Sequence, residues 1–304
     1  MSWLPSSDPN CTTDCPEAVE MVIIPRASDI GGFEVRRALP FRSRRMVGPF
    51  IFWDQMGPGE FLSGRGLDVR PHPHIGLSTI TYLVEGSIDH KDSLGTNQRI
   101  LPGDVNLMSA GQGITHSERT GPDVRLNPSR ILGIQSWVAQ PKANEHEAPG
   151  FVHEAKARLP MFEDKGVVGR VILGEFQGVE SPVSTQWPTL YVDTVLDAGA
   201  RLTVPATTEE RALYAVTGEI EIASARYQPQ QMLVLRPGQT VCIEALSPTR
   251  LMILGGATMD GPRYILWNFV SSSKERLQEA KRQWQDGEFP SVVGDDGEPI
   301  EIPR

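Results

Sequence analysis

Residues 70–95 read RPHPHIGLSTITYLVEGSIDHKDSLG, and residues 103–118 read GDVNLMSAGQGITHSE. These stretches hold two pairs of metal-binding side chains, His72 with His74 and His116 with Glu118. In an extended strand, residues two apart point to the same face, so each pair can direct both side chains at one point. The alternative is that each is an ordinary surface or hydrogen-bonded histidine. Three of only six histidines fall in these pairs, which favours one site of three imidazoles and one carboxylate.

The sequence around both pairs is typical of β-strands. Residues 77–84, which follow the first pair, are rich in β-branched and aromatic side chains. The second pair follows the turn signal AGQG at residues 110–113. Pro71 and Pro73 exclude a helix through the first pair, because proline lacks the backbone N–H and clashes with the preceding turn. We therefore predict that the ligands lie on strands.

The same stretches resemble the pirin family of the cupin superfamily, as does RYILWNFVSS at residues 263–272. The resemblance covers most of the chain and implies an all-β bicupin of two antiparallel, jelly-roll-like β-barrels. Many cupins take a glutamate from the first motif, where this chain has Thr79, whereas pirins take the carboxylate from the second motif. The metal ligands that the resemblance implies are His72, His74, His116 and Glu118.

An internal repeat also indicates two similar barrels. Residues 82–89 align with residues 214–221 at a shift of 132, and residues 101–104 align with residues 236–239 at a shift of 135. Chance similarity between two β-hairpins is the alternative. At these shifts, apolar residues stand opposite the four candidate ligands, so we expect the second barrel to be packed and without metal. These residues are Val204, Ala206, Leu251 and Ile253.

The expected organisation has three parts and ends in a helix. We predict a mobile leader at residues 1–18, a metal-binding barrel at 19–145, and a second barrel with a C-terminal helix and tail at 146–304. Residues 272–275, SSKE, fit the capping box of a helix N-terminus, and a stripe of apolar residues follows. The acidic residues 295–299 are predicted to be exposed. Cys11 and Cys15 lie in the leader, and their role is left open.

Composition excludes several classes of protein. The formal net charge is −9, the pI is about 5.3, and no dense cluster of Lys and Arg stands out beyond residues 42–45, so we expect no direct nucleic-acid binding, which needs a basic face. No apolar run reaches membrane-spanning length, and the first residues do not resemble a signal peptide. Three cysteines do not form a disulfide framework. We predict a soluble, cytoplasmic protein.

The ligand types indicate a divalent transition ion. We expect one ion per chain, because the four candidate ligands all lie in the first barrel. Three imidazoles and a carboxylate suit Fe(II), Mn, Co, Ni, Cu or Zn and disfavour Ca and Mg. Four protein ligands leave two positions open on an octahedral ion. The resemblance to pirins implies iron, but the residues themselves do not discriminate among these metals.

The resemblance also implies quercetin 2,3-dioxygenase activity, in which O2 opens the central ring of a flavonol. Glu118 is the candidate catalytic residue, because it could accept the proton of the flavonol 3-hydroxyl. His90 and Asp92 are read either as partners of the ligands or as part of an exposed hairpin. Pirins are also associated with regulation, so the alternative is an iron-dependent interaction protein whose metal state controls binding to a protein partner.

Overall fold

The computed structural model describes residues 18–30 and 33–303, and it describes the backbone of residues 11 and 12. Most of the predicted leader, including Cys15, therefore lies outside the described residues. The strands up to residue 154 are β1 Cys11–Thr12, β2 Val19–Ile23, β3 Arg26–Asp29, β4 Glu34–Leu39, β5 Phe50–Phe61, β6 Asp68–His74, β7 Leu77–Glu85, β8 Ile88–Asp92, β9 Asn97–Ile100, β10 Val105–Ser109, β11 Ile114–Arg119, β12 Ser129–Ala139 and β13 Gly150–Glu154.

The later part of the chain has a similar series of strands and then a helix. In chain order these are β14 Met161–Asp164, β15 Val167–Leu173, β16 Glu175–Phe176, β17 Val179–Glu180, β18 Thr189–Leu196, β19 Arg201–Val204, β20 Glu210–Thr217, β21 Ile220–Ile222, β22 Ala225–Tyr227, β23 Met232–Leu235, β24 Val241–Ala245, β25 Thr249–Gly256, β26 Tyr264–Leu266, β27 Phe269–Ser271 and the helix α1 Lys274–Gln285. Short 3-10 turns occur at Val124–Leu126 and Lys156–Arg158.

Each barrel consists of a large and a small antiparallel sheet. The first barrel has the orders β13-β10-β7-β12-β5-β4-β3 and β6-β11-β8-β9, and the second has β1-β2-β23-β20-β25-β18-β15-β14 and β19-β24-β21-β22. In the two small sheets, β6, β11, β8 and β9 correspond in position to β19, β24, β21 and β22. The predicted all-β bicupin architecture with a short C-terminal helix is confirmed, and so is the repeat that relates β7 and β8 to β20 and β21.

The second block of the repeat was aligned wrongly. Residues 101–104 connect β9 to β10, whereas residues 236–239 connect β23 to β24, so the two turns occupy different places in the barrel. The strand equivalent to β11 is β24, and Leu251 lies on β25 instead. The error arose because Pro-Gly turns resemble one another wherever they occur.

Two edge strands cross the predicted boundary between the barrels. The strand β2 pairs with β23 of the second barrel, although residues 19–23 were assigned to the first. In return, β13 pairs with β10 of the first barrel, although it follows residue 145. The division near residue 145 itself stays a prediction.

An aromatic-rich core joins the barrels. Trp53 of the first large sheet contacts Tyr191 and Tyr214 of the second, each at a ring-centroid distance of 5.5 Å. All three side chains are fully buried. Burial of such large apolar surfaces is the main stabilising contribution, so the two barrels form one continuous hydrophobic core.

The helix α1 packs as the sequence predicts, but it begins one residue later than a capping box at Ser272–Glu275 implies. Ser273 is its N-cap, and its hydroxyl accepts a hydrogen bond from the backbone N–H of Arg276 at 3.2 Å. Leu277 and Ala280 are buried against a cluster that includes Phe269. This packing places the end of α1, and the tail that follows it, beside the first barrel.

Candidate functional site

The strands β6 and β11 bring the four predicted site residues together. They pair antiparallel with His72 opposite His116, and a bulge between His116 and Glu118 shifts the register before the carboxylate. All four side chains are buried, with Glu118 the most accessible at 7%. The Nε2 or Nδ1 atoms that His72, His74 and His116 offer lie within 4.8 Å of one another.

Backbone carbonyls fix the orientation of two imidazoles. His72 Nδ1 donates to the carbonyl oxygen of Arg70 at 2.8 Å, and His74 Nδ1 donates to that of Asn268 at 3.0 Å. Each ring therefore carries its proton on Nδ1 and presents an unprotonated Nε2 to the site. Asn268 belongs to the third family-like stretch, which the fold thus brings next to His74.

The side chain of His90 orients the imidazole of His116. His116 Nδ1 lies 3.4 Å from His90 Nδ1, and His90 Nε2 lies 3.0 Å from Asp92 Oδ2. If His90 donates through Nε2 to the carboxylate, its Nδ1 is free to accept from His116, which then also presents an unprotonated Nε2. The side chain of His90 is stacked on Phe151 at a centroid distance of 4.6 Å.

The exposed-hairpin interpretation of His90 and Asp92 was wrong. The two residues are 3% and 0% exposed, and they occupy β8, the other neighbour of β11. The atoms that His90, His116 and Glu118 offer also lie within 4.8 Å of one another. The spacing of two residues between His90 and Asp92 repeats the spacing of the ligand pairs, and this was the signal in the sequence.

Burial keeps the imidazoles neutral. It lowers the pKa of His72 to about 4 and lowers the pKa of His74 and His116 well below the usual range. Burial raises the pKa of Glu118, whose Oε1 accepts a hydrogen bond from Thr81 Oγ1 at 3.2 Å. At neutral pH the site therefore offers uncharged nitrogen donors beside a carboxyl group.

The donor set fits a transition-metal ion. His74 Nε2 and His116 Nε2 lie 3.1 Å apart, and if both rings carry their proton on Nδ1, their Nε2 lone pairs would repel each other without a cation between them. Nitrogens that bind one ion at about 2.1 Å and at a right angle are about 3 Å apart. The cluster is thus able to hold a metal ion. Within the described ranges, both groups of suitable ligands lie in the first barrel.

Aromatic side chains line one wall of the cavity above the ligands. Trp137 is stacked on Phe52 at a centroid distance of 4.0 Å, and its ring meets His74 edge-on at 5.1 Å. Arg37 lies over Phe52 and donates two hydrogen bonds, of 2.8 and 2.7 Å, to Asp54. The wall is therefore flat and held rigidly by an ion pair. Spacing in the sequence gave no sign of it.

The interior of the second barrel holds apolar side chains in place of ligands. Val204 pairs with Val241 as His72 pairs with His116, and both valines are buried. Cys242, the next residue on β24, faces solvent. No described helix is both long and apolar enough to cross a membrane.

The chain matches two family models and several known proteins. The models are described as Pirin, over residues 32–138, and as the Pirin C-terminal cupin domain, over residues 191–290. A Pirin-like protein of Caulobacter vibrioides is 46% identical over 94% of this chain and 100% of its own length. A protein of Pseudomonas aeruginosa with the provisional name quercetin 2,3-dioxygenase is 36% identical over 92% of this chain and 89% of its own.

A solved structure agrees with these matches. The crystal structure of a quercetin 2,3-dioxygenase from Acinetobacter baumannii superposes with a TM-score of 0.87 at 35% sequence identity. The similarity covers 93% of this chain and 94% of that chain. It therefore extends over both barrels and the connection between them.

Proposed function

The chain belongs to the pirin family, and from the three buried imidazoles and one buried carboxylate that line a single cavity we propose that it is a metal-dependent dioxygenase that opens the central ring of flavonols such as quercetin with O2. The observation that carries the proposal is that three buried imidazoles, Glu118 and the aromatic pair of Phe52 and Trp137 line the same cavity. Relatives with the name quercetin 2,3-dioxygenase support it.

The proposed ligands are His72, His74, His116 and Glu118, each acting from a strand whose backbone is fixed by sheet pairing. A bound transition metal would supply a Lewis acid for the flavonol 3-hydroxyl and a redox-active centre for O2. We propose Fe(II) as the native ion, while the donor set also accommodates Mn, Co, Ni, Cu or Zn. The buried site also excludes bulk water, which strengthens its electrostatic interactions.

Glu118 is proposed to accept the proton of the flavonol 3-hydroxyl. Burial raises the pKa of its carboxyl group, so it is a stronger base than an exposed glutamate, and Thr81 holds one of its oxygens. The stacked pair of Phe52 and Trp137 offers a flat apolar surface on which a flavonol ring can lie. These residues therefore provide proton transfer and substrate orientation.

The test is an aerobic assay of iron-loaded protein with quercetin, in which loss of flavonol absorbance and O2 uptake are both measured. We expect one O2 to be consumed per flavonol. Glu118→Gln should keep part of the metal, since the amide oxygen can still bind it, but should lose most of the turnover. The control is Glu163→Gln, an exposed position on β14 of the second barrel, which should keep full activity.

The same assay also distinguishes the dioxygenase from the regulatory alternative. If iron-loaded protein consumes neither quercetin nor O2 while a protein partner binds it in only one iron oxidation state, the chain is an interaction protein and the dioxygenase proposal fails. The cytoplasmic location and the flavonol as physiological substrate stay predictions.

A further inference from the structure

The last residues of the chain, 291–303, form a strap that crosses the metal-binding barrel. The strap has no regular secondary structure and follows α1. It also lies beyond residue 290, where the match to the Pirin C-terminal cupin domain ends. It is therefore an addition to the region that the family model describes.

The strap is anchored to the strands that carry the site. The backbone N–H of Val293 donates to the carbonyl oxygen of Asp92 at 3.1 Å, and that of Ile300 donates to Pro71 at 2.8 Å. Arg119 donates two hydrogen bonds, of 2.7 and 3.1 Å, to Asp295. Pro71 precedes His72 in the chain and Arg119 follows Glu118, so the anchors lie directly beside proposed ligands.

The predicted exposure of the acidic tail is thus wrong at Asp295. The side chain of Asp295 is 8% exposed. Although burial alone would raise it, the hydrogen bonds from Arg119 bring the pKa of Asp295 down to about 2. In contrast, Glu298 is 82% exposed and lies 3.4 Å from Arg70, so its ion pair contributes little.

Ile300 places the strap in the wall of the ligand cavity. Its side chain lines the same cavity as the three imidazoles and Glu118. Its carbonyl oxygen accepts a hydrogen bond from Trp284 Nε1 at 3.0 Å. Ile302 also packs near α1 and, like Ile300, lines a second cavity of about 770 Å³ between the strap and the end of the helix, but it does not line the ligand cavity.

The cavity that Ile300 lines is small. Its volume is about 50 Å³, whereas pockets that enclose drug-sized ligands measure roughly 300–1,000 Å³. A three-ring flavonol is larger than this volume, and Ile300 forms part of the cavity wall. A few hydrogen bonds hold the strap, and most of its side chains are partly or fully exposed, so local opening requires much less free energy than unfolding of a barrel.

We propose that the strap is the movable wall of the substrate chamber and that Ile300 is a specificity-determining residue, which admits planar phenolic substrates of flavonol size only when the strap is displaced. The substrate class rests on the proposed function, but the movable wall does not. Since the binding-competent state is then only a fraction of the protein, any change that loosens the strap should improve the apparent affinity for the substrate.

The experiment compares Ile300→Ala with Ile302→Ala, the same substitution in the same strap outside the ligand cavity. The first measurement is the release of Ni(II) from loaded protein to excess EDTA, which requires no turnover. We expect release from Ile300→Ala to be about tenfold faster than from the parent, because opening of the wall becomes easier. Release from Ile302→Ala should stay within about twofold of the parent.

The second measurement is KM and kcat for quercetin. Ile300→Ala should lower KM several-fold with little change in kcat, because the chamber is larger and opens more often. Asp295→Asn should act in the same direction by weakening the anchor to Arg119, while Glu298→Gln, at the exposed ion pair, should leave both constants unchanged.

The outcomes separate the two proposals. Faster nickel release from Ile300→Ala and Asp295→Asn, without any quercetin turnover in the parent, would support the movable wall and overturn the dioxygenase. Quercetin turnover with unchanged KM and release rates in both variants would support the dioxygenase and overturn the movable wall. Equal effects of Ile300→Ala and Ile302→Ala would show that the strap only stabilises the barrel.

Discussion

The two barrels share one plan but differ in what fills their small sheets. In the first, β6 and β11 set His72 opposite His116, and in the second β19 and β24 set Val204 opposite Val241. All four side chains are buried, so the same backbone geometry places histidines in the interior of one barrel and valines in the interior of the other. The comparison shows that the barrel supplies the positions, while the side chains at a few strand sites decide whether it can bind a metal.

The strongest test of this comparison is the metal content of the chain. We expect metal analysis to find one ion per chain, and His116→Ala to lose it, because three remaining ligands around a cavity cannot replace a bound imidazole. Circular dichroism should show that the fold is retained. Two ions per chain, or full metal content in His116→Ala, would contradict the assignment.

A charge in the second barrel tests its apolar interior. Leu251 is fully buried on β25, so Leu251→Asp should reduce the free energy of unfolding by about 4 kcal/mol or more, since no partner is present for the carboxylate. Val195 on the neighbouring strand β18 is 45% exposed, and Val195→Asp should change it by less than about 1 kcal/mol. Urea denaturation measures both, and equal stabilities would refute the buried placement.

His90 is not one of the four proposed ligands, but we expect it to affect metal binding because it lies next to His116. His90→Gln replaces the rigid imidazole acceptor next to His116 Nδ1 with a flexible amide, so metal affinity should fall by roughly 10–100-fold while the four proposed ligands remain. Competition with a chelator measures this. His153→Gln is the control, because His153 lies on β13 of the same barrel and contacts Asn106 instead of the site. Equal affinities for the two variants would show that His90 does not position the ligand.

The smallest expected effect compares two equivalent tyrosines. Tyr82 donates a hydrogen bond to Asp193 of the second barrel at 2.6 Å, whereas the hydroxyl of Tyr214 has no partner among the described residues. Tyr82→Phe should lower the free energy of unfolding by roughly 1.5 kcal/mol, and Tyr214→Phe should leave it unchanged or raise it slightly. Paired urea titrations can resolve this difference. A larger loss in Tyr214→Phe would mean that its hydroxyl is hydrogen-bonded in solution.

Most of the ligand cluster could be predicted from the sequence because its spacing is a local property. The side-chain direction of a strand alternates with every residue, so a pair such as His72 and His74 is read without knowing the fold. The repeat at a shift of 132 could also be found, because the consecutive strands β7 and β8 of the first barrel are equivalent to β20 and β21 of the second. The shift of 135 failed, because turn composition is the same at several places in a barrel.

Thus the sequence alone determined the all-β class, the two barrels, the capped helix and the side chains that meet at the site. Tertiary structure alone decided the exchange of β2 and β13, the burial of His90 and Asp92, and the position of Ile300 in the cavity wall. Each of these depends on segments that are far apart in sequence. Local patterns show which way a side chain points, but whether that face is covered, and by what, is set by the packing of distant strands and of the C-terminal strap.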